Sequence, residues 1–247
     1  MAEYKAISFE QDKSNGWSKF QNIEFASKFG FVQINFAEIS SVMQEYPIVF
    51  AKVNETSYKL AVLLGTAKDE NLFVNENFKW NGGYVPNYLK QYPFAIIEQD
   101  GKVIVCFDME SGLYQEDGVY QSFQFFDEEG NPSEVFGKKI NFLQKYYENQ
   151  KLTQKMVDIL AKYELFTPMK LEFDGIYRID EAKLNALEGE ALKELQNSNA
   201  LSVVYGHLFS LQKVKKLKKL AAKKQEASQL VEDMDLDALF KNDMINF

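Results

Sequence analysis

His207 is the only histidine and Cys106 the only cysteine, and those counts remove several chemistries. A facial triad of two histidines and a carboxylate cannot form within one chain. Neither can a zinc site built on paired histidines or on cysteine clusters. A serine nucleophile activated by His207 is numerically open, but no G-x-S-x-G elbow accompanies it. His207 itself, in Tyr205-Gly206-His207-Leu208-Phe209, reads as a structural histidine or as a general base. Asp108 and Glu110 stand two apart at the end of an apolar strand pattern. On a strand they share a face, as an acid/base pair or half a metal site; the bland alternative is two solvated carboxylates. Asp108, Glu110 and His207 are thus the catalytic alternative. Cys106 lies in the apolar run Val103-Ile104-Val105-Cys106-Phe107 and reads as a buried, inert thiol. The phosphate-cradling loops G-x-x-x-x-G-K-[ST] and G-x-G-x-x-G are both missing. No cofactor and no metal are expected.

Binding has more candidates. Trp80, Tyr84, Tyr88 and Tyr92 combine apolar bodies with polar tips. They form a glycan-stacking or protein-docking face, or else they cap a β core. The lysines between 213 and 224, among them Lys215, Lys216 and Lys219, make a basic amphipathic helix. It reads as a contact for an anionic partner, as a self-association or docking element, or as a solvated face. Residues 227–247 follow as an acidic tail with Leu236, Leu239 and Phe240 among the acids, the pattern of a flexible docking peptide that orders on binding.

The elements that position these residues centre on 46–108, the densest aromatic stretch. Strands are predicted at 31–34, 48–52, 58–64, 72–74, 94–98 and 102–108, with a short helix over 36–46 stopped by Pro47 and another from Pro86 to about Gln91. Asn54-Glu55-Thr56 and Gln99-Asp100-Gly101 are hairpin turns. Connections this short leave little room for parallel crossovers, so an antiparallel meander is expected. Residues 111–133 are the looser junction. A long helix over 134–165 follows, then a hairpin around Asp174-Gly175 with arms at 169–173 and 175–179. A helix runs from Asp180-Glu181 to about Leu195. Residues 200–205 are β-branched and ambiguous between strand and helix, and 210–226 is a helix. The fold class is α+β: an antiparallel β core within about 30–110, packed by C-terminal helices, as one domain over 1–226.

Aromatic residues make up 15% of the 247 residues, which favours a packed core or contact face over a disordered chain. A formal net charge of −8 repels nucleic acid and anionic lipid unless a basic patch is segregated, so nucleic acid is not the expected partner. The start, Met1-Ala2-Glu3-Tyr4-Lys5, has no signal-peptide pattern, and no apolar run is long enough to span a bilayer. The expected location is cytoplasmic, with the cell surface reached only by signal-independent export.

The ordered set Tyr46-Pro47-Ile48-Val49-Phe50, Leu64-Gly65, Asn71-Leu72-Phe73-Val74, Trp80, Tyr84-Val85-Pro86 and Tyr92-Pro93-Phe94 resembles the bacterial SapC family. So does the run Gly175-Ile176-Tyr177, Leu184, Leu187, Leu195 and Tyr205-Gly206-His207-Leu208-Phe209-Ser210-Leu211. Members often carry arginines before Tyr-Pro-Phe, where this chain has Lys90-Gln91; lysine lacks the bidentate geometry of arginine. The resemblance implies a soluble, non-catalytic protein associated with the bacterial surface layer (S-layer), acting by protein binding in its assembly or export. The partner implied is a surface-layer or export component. The alternatives are an enzyme or enzyme partner acting on peptides or glycans, and a binder of nucleic acid or anionic membrane through the 213–224 lysine helix.

Overall fold

The structure is a computed structural model, and it describes residues 3–117, 123–172 and 174–232. In chain order the elements are β1 (Tyr4–Ala6), α1 (Phe9–Asp12), β2 (Gly16–Trp17), β3 (Phe31–Gln33), α2 (Ile39–Val42), β4 (Ile48–Lys52) and β5 (Tyr58–Leu63). There follow α3 (Asn87–Gln91), β6 (Phe94–Gln99), β7 (Lys102–Asp108), β8 (Tyr114–Gln115), β9 (Phe123–Gln124) and α4 (Glu134–Lys162). The chain continues through β10 (Phe166–Pro168), β11 (Ile176–Ile179), α5 (Glu181–Asn185), α6 (Gly189–Asn197), α7 (Ala200–Ser210) and α8 (Lys213–Glu232).

The fold is α+β with an antiparallel core, and helices α4 to α8 pack against it. The central sheet has the order β10-β11-β4-β5-β3, every pair antiparallel. Ile48–Ala51 and Leu60–Leu63 are all buried. These are unbroken apolar runs rather than alternating ones, so both faces of the sheet are covered. The two hairpins predicted at Asn54-Glu55-Thr56 and Asp100-Gly101 are present. They do not join into one meander, because β6 and β7 pair with β1 in a second sheet, β1-β7-β6. A third, small sheet is β8-β2-β9. The second and third sheets share a core of rings: Trp17 stacks on Phe125 at 5.0 Å, and Phe94 meets Phe107 edge-on at 4.9 Å. Offset and edge-to-face geometry suits the ring quadrupoles.

Helix α4 ties the two cores together. Its 29 residues span about 43 Å at 1.5 Å each. Phe136 and Leu143 enter the aromatic core, and Met156, Val157 and Leu160 enter the main core. Ser133 starts it by accepting the Phe136 N–H at 3.2 Å.

Several expectations are corrected. Leu72–Val74 is not a strand, apart from one bridge between Val74 and Trp80. The Asn71 side chain satisfies the backbone there instead, accepting from Phe73 N–H at 2.9 Å and donating to Ala26 C=O at 2.9 Å. The second hairpin uses Phe166–Pro168 as its first arm, not 169–173. Glu164, at φ 52°, turns the chain sharply after α4, and the Phe166 ring packs on Phe50 and Tyr58. The helix predicted from Asp180 to Leu195 is two helices. Asp180 caps the first through Ala182 and Lys183 N–H, and Glu188 is extended before Gly189. The last helix runs on to Glu232, into the stretch expected to be tail.

Candidate functional site

Helix α7 settles the ambiguous 200–205 stretch, and its period sorts the motif Tyr205-Gly206-His207-Leu208-Phe209. Ala200, Val203, Val204, His207 and Ser210 are buried, the i, i+3, i+4, i+7 pattern of one inward face. Gly206 lets α7 approach α2: a Cβ there would lie 2.4 Å from Ile39 Cγ2.

His207 is 0% exposed and acts as a rung of the central sheet. Strands β4 and β11 pair at Ala51↔Ile176 and Phe50↔Tyr177. Two residues on, that register sets Ile48 against Ile179. There the imidazole stands between them: Nδ1 lies 2.7 Å from Ile48 C=O, and Nε2 accepts the Ile179 N–H at 3.2 Å. Only the neutral tautomer with the proton on Nδ1 can make both bonds. The Ile48 N–H is taken by Ser210 Oγ at 2.8 Å. Burial holds the His207 pKa down at about 4. Both nitrogens are committed to backbone, so this imidazole has no lone pair or proton to offer a substrate.

The two acids of the catalytic alternative do not share a strand face. β7 ends at Asp108, and the chain turns into a 3-10 helix, Met109–Ser111. Asp108 caps that turn by accepting the Glu110 N–H at 3.1 Å, while Glu110 is exposed. Burial raises the Asp108 pKa against the Glu110 N–H bond, which works to lower it. These acids sit at the end of the second sheet, whereas His207 serves the first. Cys106 is buried, and burial raises its pKa. A half-buried ion pair was not apparent from sequence: Lys5 Nζ lies 2.6 Å from Asp12 Oδ1, and Tyr114 donates to the same oxygen. Burial works to raise the Asp12 pKa, but Lys5, Tyr114 and the Ser8 N–H outweigh it and hold the carboxyl low. Tyr114 lies 102 residues along the chain from Asp12, a separation that no local motif spans. Among the described residues, no group of three or more His, Cys, Asp or Glu is placed to hold a metal ion.

Trp80, Tyr84, Tyr88 and Tyr92 are all half-buried, and each has an internal partner. Trp80 Nε1 donates to Tyr84 C=O at 3.0 Å, beside the buried Tyr46 hydroxyl. Tyr84 donates to Glu38 Oε1 at 3.1 Å, and Lys90 Nζ sits 4.4 Å over its ring. Tyr88 meets Phe29 edge-on at 6.2 Å, and Tyr92 stacks on Phe25 at 3.9 Å. Glu38 is the centre of this region. Its carboxyl also accepts Asn87 N–H at 2.7 Å and Asn35 N–H at 3.0 Å, and burial raises its pKa against those bonds. Three donors on one buried carboxyl clip α3 to the turn before α2.

The outward face of α7 carries what sequence reasoning missed. Tyr205 is 51% exposed and Phe209 63% exposed, their rings stacked at 6.3 Å. The signal was the i, i+4 spacing, readable only once 200–210 is a helix. Stacked, exposed aromatics are typical of contact surfaces. The next helix, α8, buries Leu217 and is tied down by Lys216–Glu45 at 3.0 Å and Lys224–Glu70 at 3.5 Å. Lys215, Lys219 and Lys223 line an exposed strip beside Leu220. Leu236, Leu239 and Phe240 lie outside the described residues. No helix among the described residues is long and apolar enough to cross a membrane.

Residues 8–217 match the family model described as SapC. No curated protein and no solved structure matches the chain.

Proposed function

The chain belongs to the SapC family, and from that premise we propose that it is a non-catalytic, protein-binding component in the assembly or export of a bacterial surface layer. The observation that carries the binding reading is the stacked pair Tyr205 and Phe209, held outward on a helix whose opposite face is locked into the sheet by His207. Large aromatic side chains bring contact area at a low entropy cost, which is why they concentrate at the energetic centres of interfaces. The lysines of α8 continue from the same end of α7 and supply charge that would steer an acidic partner. The geometry of His207 speaks against the peptide- or glycan-processing alternative built on it, because a general base needs a free nitrogen. The protein acts from the cytoplasmic side of the cell, where a component awaiting export is met before it leaves.

Fractionation of native cells, followed by co-purification with the full-length chain, tests this. A surface-layer or secretion component is expected to accompany it, and Tyr205→Ser with Phe209→Ser is expected to release that component. A wholly cytosolic chain that retains neither class of component overturns the proposal.

A further inference from the structure

The outward faces of α7 and α8 form one surface. Leu211 N–H bonds to Leu208 C=O at 3.3 Å and Val214 N–H to Leu211 C=O at 3.0 Å, so the chain keeps turning between the two helices. His207, Ser210 and Leu217 are all buried, and their spacing carries the inward phase of α7 into α8. The opposite side therefore keeps its phase as well. Tyr205, Phe209, Lys216, Lys219, Leu220 and Lys223 fall along it at helical intervals. Both aromatics are more than half exposed, and the three lysines are exposed. From Lys213 to Gln225 the chain has seven lysines and no acid, against a formal net charge of −8 overall. Lys216 reaches Glu45, but Lys219 and Lys223 make no ion pair among the described residues.

We infer that this face binds a linear acidic segment of a partner protein, with an apolar side chain seated on Tyr205 and Phe209 and carboxylates on Lys219 and Lys223. The inference rests on the reading of the Tyr205–Phe209 pair as a protein-binding element, and it states what that protein presents. Charge complementarity names the class: two unpaired lysines on a strip without acids call for carboxylates. Spacing names the pattern. Lys219 and Lys223 are about 6 Å apart along the helix axis, close to the roughly 6.6 Å between same-side residues of an extended chain. Phe209 lies about 15 Å from Lys219, a distance that about five extended residues span. The segment is thus an apolar residue set about five positions from two acids that have one residue between them. The aromatic pair supplies the anchor, and the lysines fix register and direction. A bilayer or a nucleic acid suits this face less. Glu45 and Glu70 flank the lysines, and a broad anionic surface meets those acids and the net negative charge of the chain as well. A narrow peptide meets the strip alone.

The test titrates the isotope-labelled full chain with the end-blocked synthetic peptide Phe-Ser-Gly-Ser-Gly-Glu-Ser-Glu, read on backbone amide signals. Saturable shifts are expected at Tyr205, Phe209, Lys219 and Lys223. Affinity is expected to fall about tenfold in Lys219→Glu with Lys223→Glu, to fall similarly in Tyr205→Ser with Phe209→Ser, and to weaken as salt is added. The same peptide with lysine in place of glutamate is expected not to bind. Shifts absent from this face, or equal affinity for the lysine peptide, overturn the inference. Tighter binding of phosphatidylserine vesicles or of a single-stranded oligonucleotide at the same residues overturns it as well, because the strip then selects a phosphate-bearing surface. Failure here is distinguishable from failure of the protein-binding reading. A native partner released by Tyr205→Ser with Phe209→Ser, but retained by Lys219→Glu with Lys223→Glu, upholds that reading and overturns this inference.

Discussion

Ile48 and Ile179 stand opposite each other in the register of β4 and β11, and the imidazole of His207 joins them, bonded to Ile48 C=O at 2.7 Å and to Ile179 N–H at 3.2 Å. A side chain from a helix thus replaces a rung of the ladder. The cause is local. Pairing between the strands is maintained at Ala51↔Ile176 and Phe50↔Tyr177, and α7 occupies the space beyond. Gly206 lets α7 lie close against Ile39 of α2, and Ser210 takes the remaining Ile48 N–H. The same arrangement faces Tyr205 and Phe209 to solvent.

Replacing the rung should be costly. His207→Phe keeps the volume but strands one buried N–H and one buried C=O, and each such group costs roughly 1–3 kcal/mol. Urea denaturation should show a loss of about 2–4 kcal/mol in total. His207→Gln, which retains one donor and one acceptor, should lose clearly less. Equal losses for the two would mean that packing, not the paired hydrogen bonds, matters at this position.

The same histidine gives stability a direction in pH. Its folded pKa of about 4 lies below the usual value of 6.5, so between these values the unfolded chain binds the extra proton. The contribution is therefore fully present above pH 6.5 and is lost as pH falls toward 4. At 1.36 kcal/mol per unit, the full loss is about 3 kcal/mol. Glu38 works the other way, because its raised pKa favours the folded state when protonated. The comparison must therefore be between the native chain and His207→Gln over pH 4–7. The native chain is expected to have the steeper decline, and parallel curves would contradict the assignment.

Gly206 should tolerate no side chain. A Cβ at 2.4 Å from Ile39 Cγ2 forces α7 and α2 apart, and overpacking of this kind costs about 1–3 kcal/mol. Gly206→Ala should lower the melting temperature, and adding Ile39→Ala should restore part of that loss beyond what Ile39→Ala alone predicts. Additive effects would show that the two residues do not oppose each other.

Much of this fold can be read from the chain, and the places where reading stops are physical. Hairpins β4–β5 and β6–β7 announce themselves because their turns, Asn54-Glu55-Thr56 and Asp100-Gly101, are local signals. Nothing local says that β11 closes the other edge of β4, because that pairing joins Phe50 to Tyr177 across more than half the chain. The β-branched Val203 and Val204 left 200–205 ambiguous, and tertiary packing decided for helix. On a strand, Tyr205, His207 and Phe209 share a face; on a helix, the two aromatics turn out and the histidine turns in. That single difference separates a reading in which His207 is available to a substrate from one in which it is structural. Trp80, Tyr84, Tyr88 and Tyr92 were visible as a group, but their partners Glu38, Phe29 and Phe25 come from earlier in the chain and cannot be paired by spacing.

The central claim is that the inward face of α7 builds the fold while its outward face does the binding. It is tested most directly by measuring, side by side, how much partner three full-length chains retain from native cells: unsubstituted, His207→Gln, and Tyr205→Ser with Phe209→Ser. The account predicts that His207→Gln keeps the partner despite a lowered melting temperature. It predicts that the double variant loses the partner with stability changed by no more than about 0.5 kcal/mol, as for exposed positions generally. Full retention by the double variant, or loss of the partner by a folded His207→Gln chain, would contradict it.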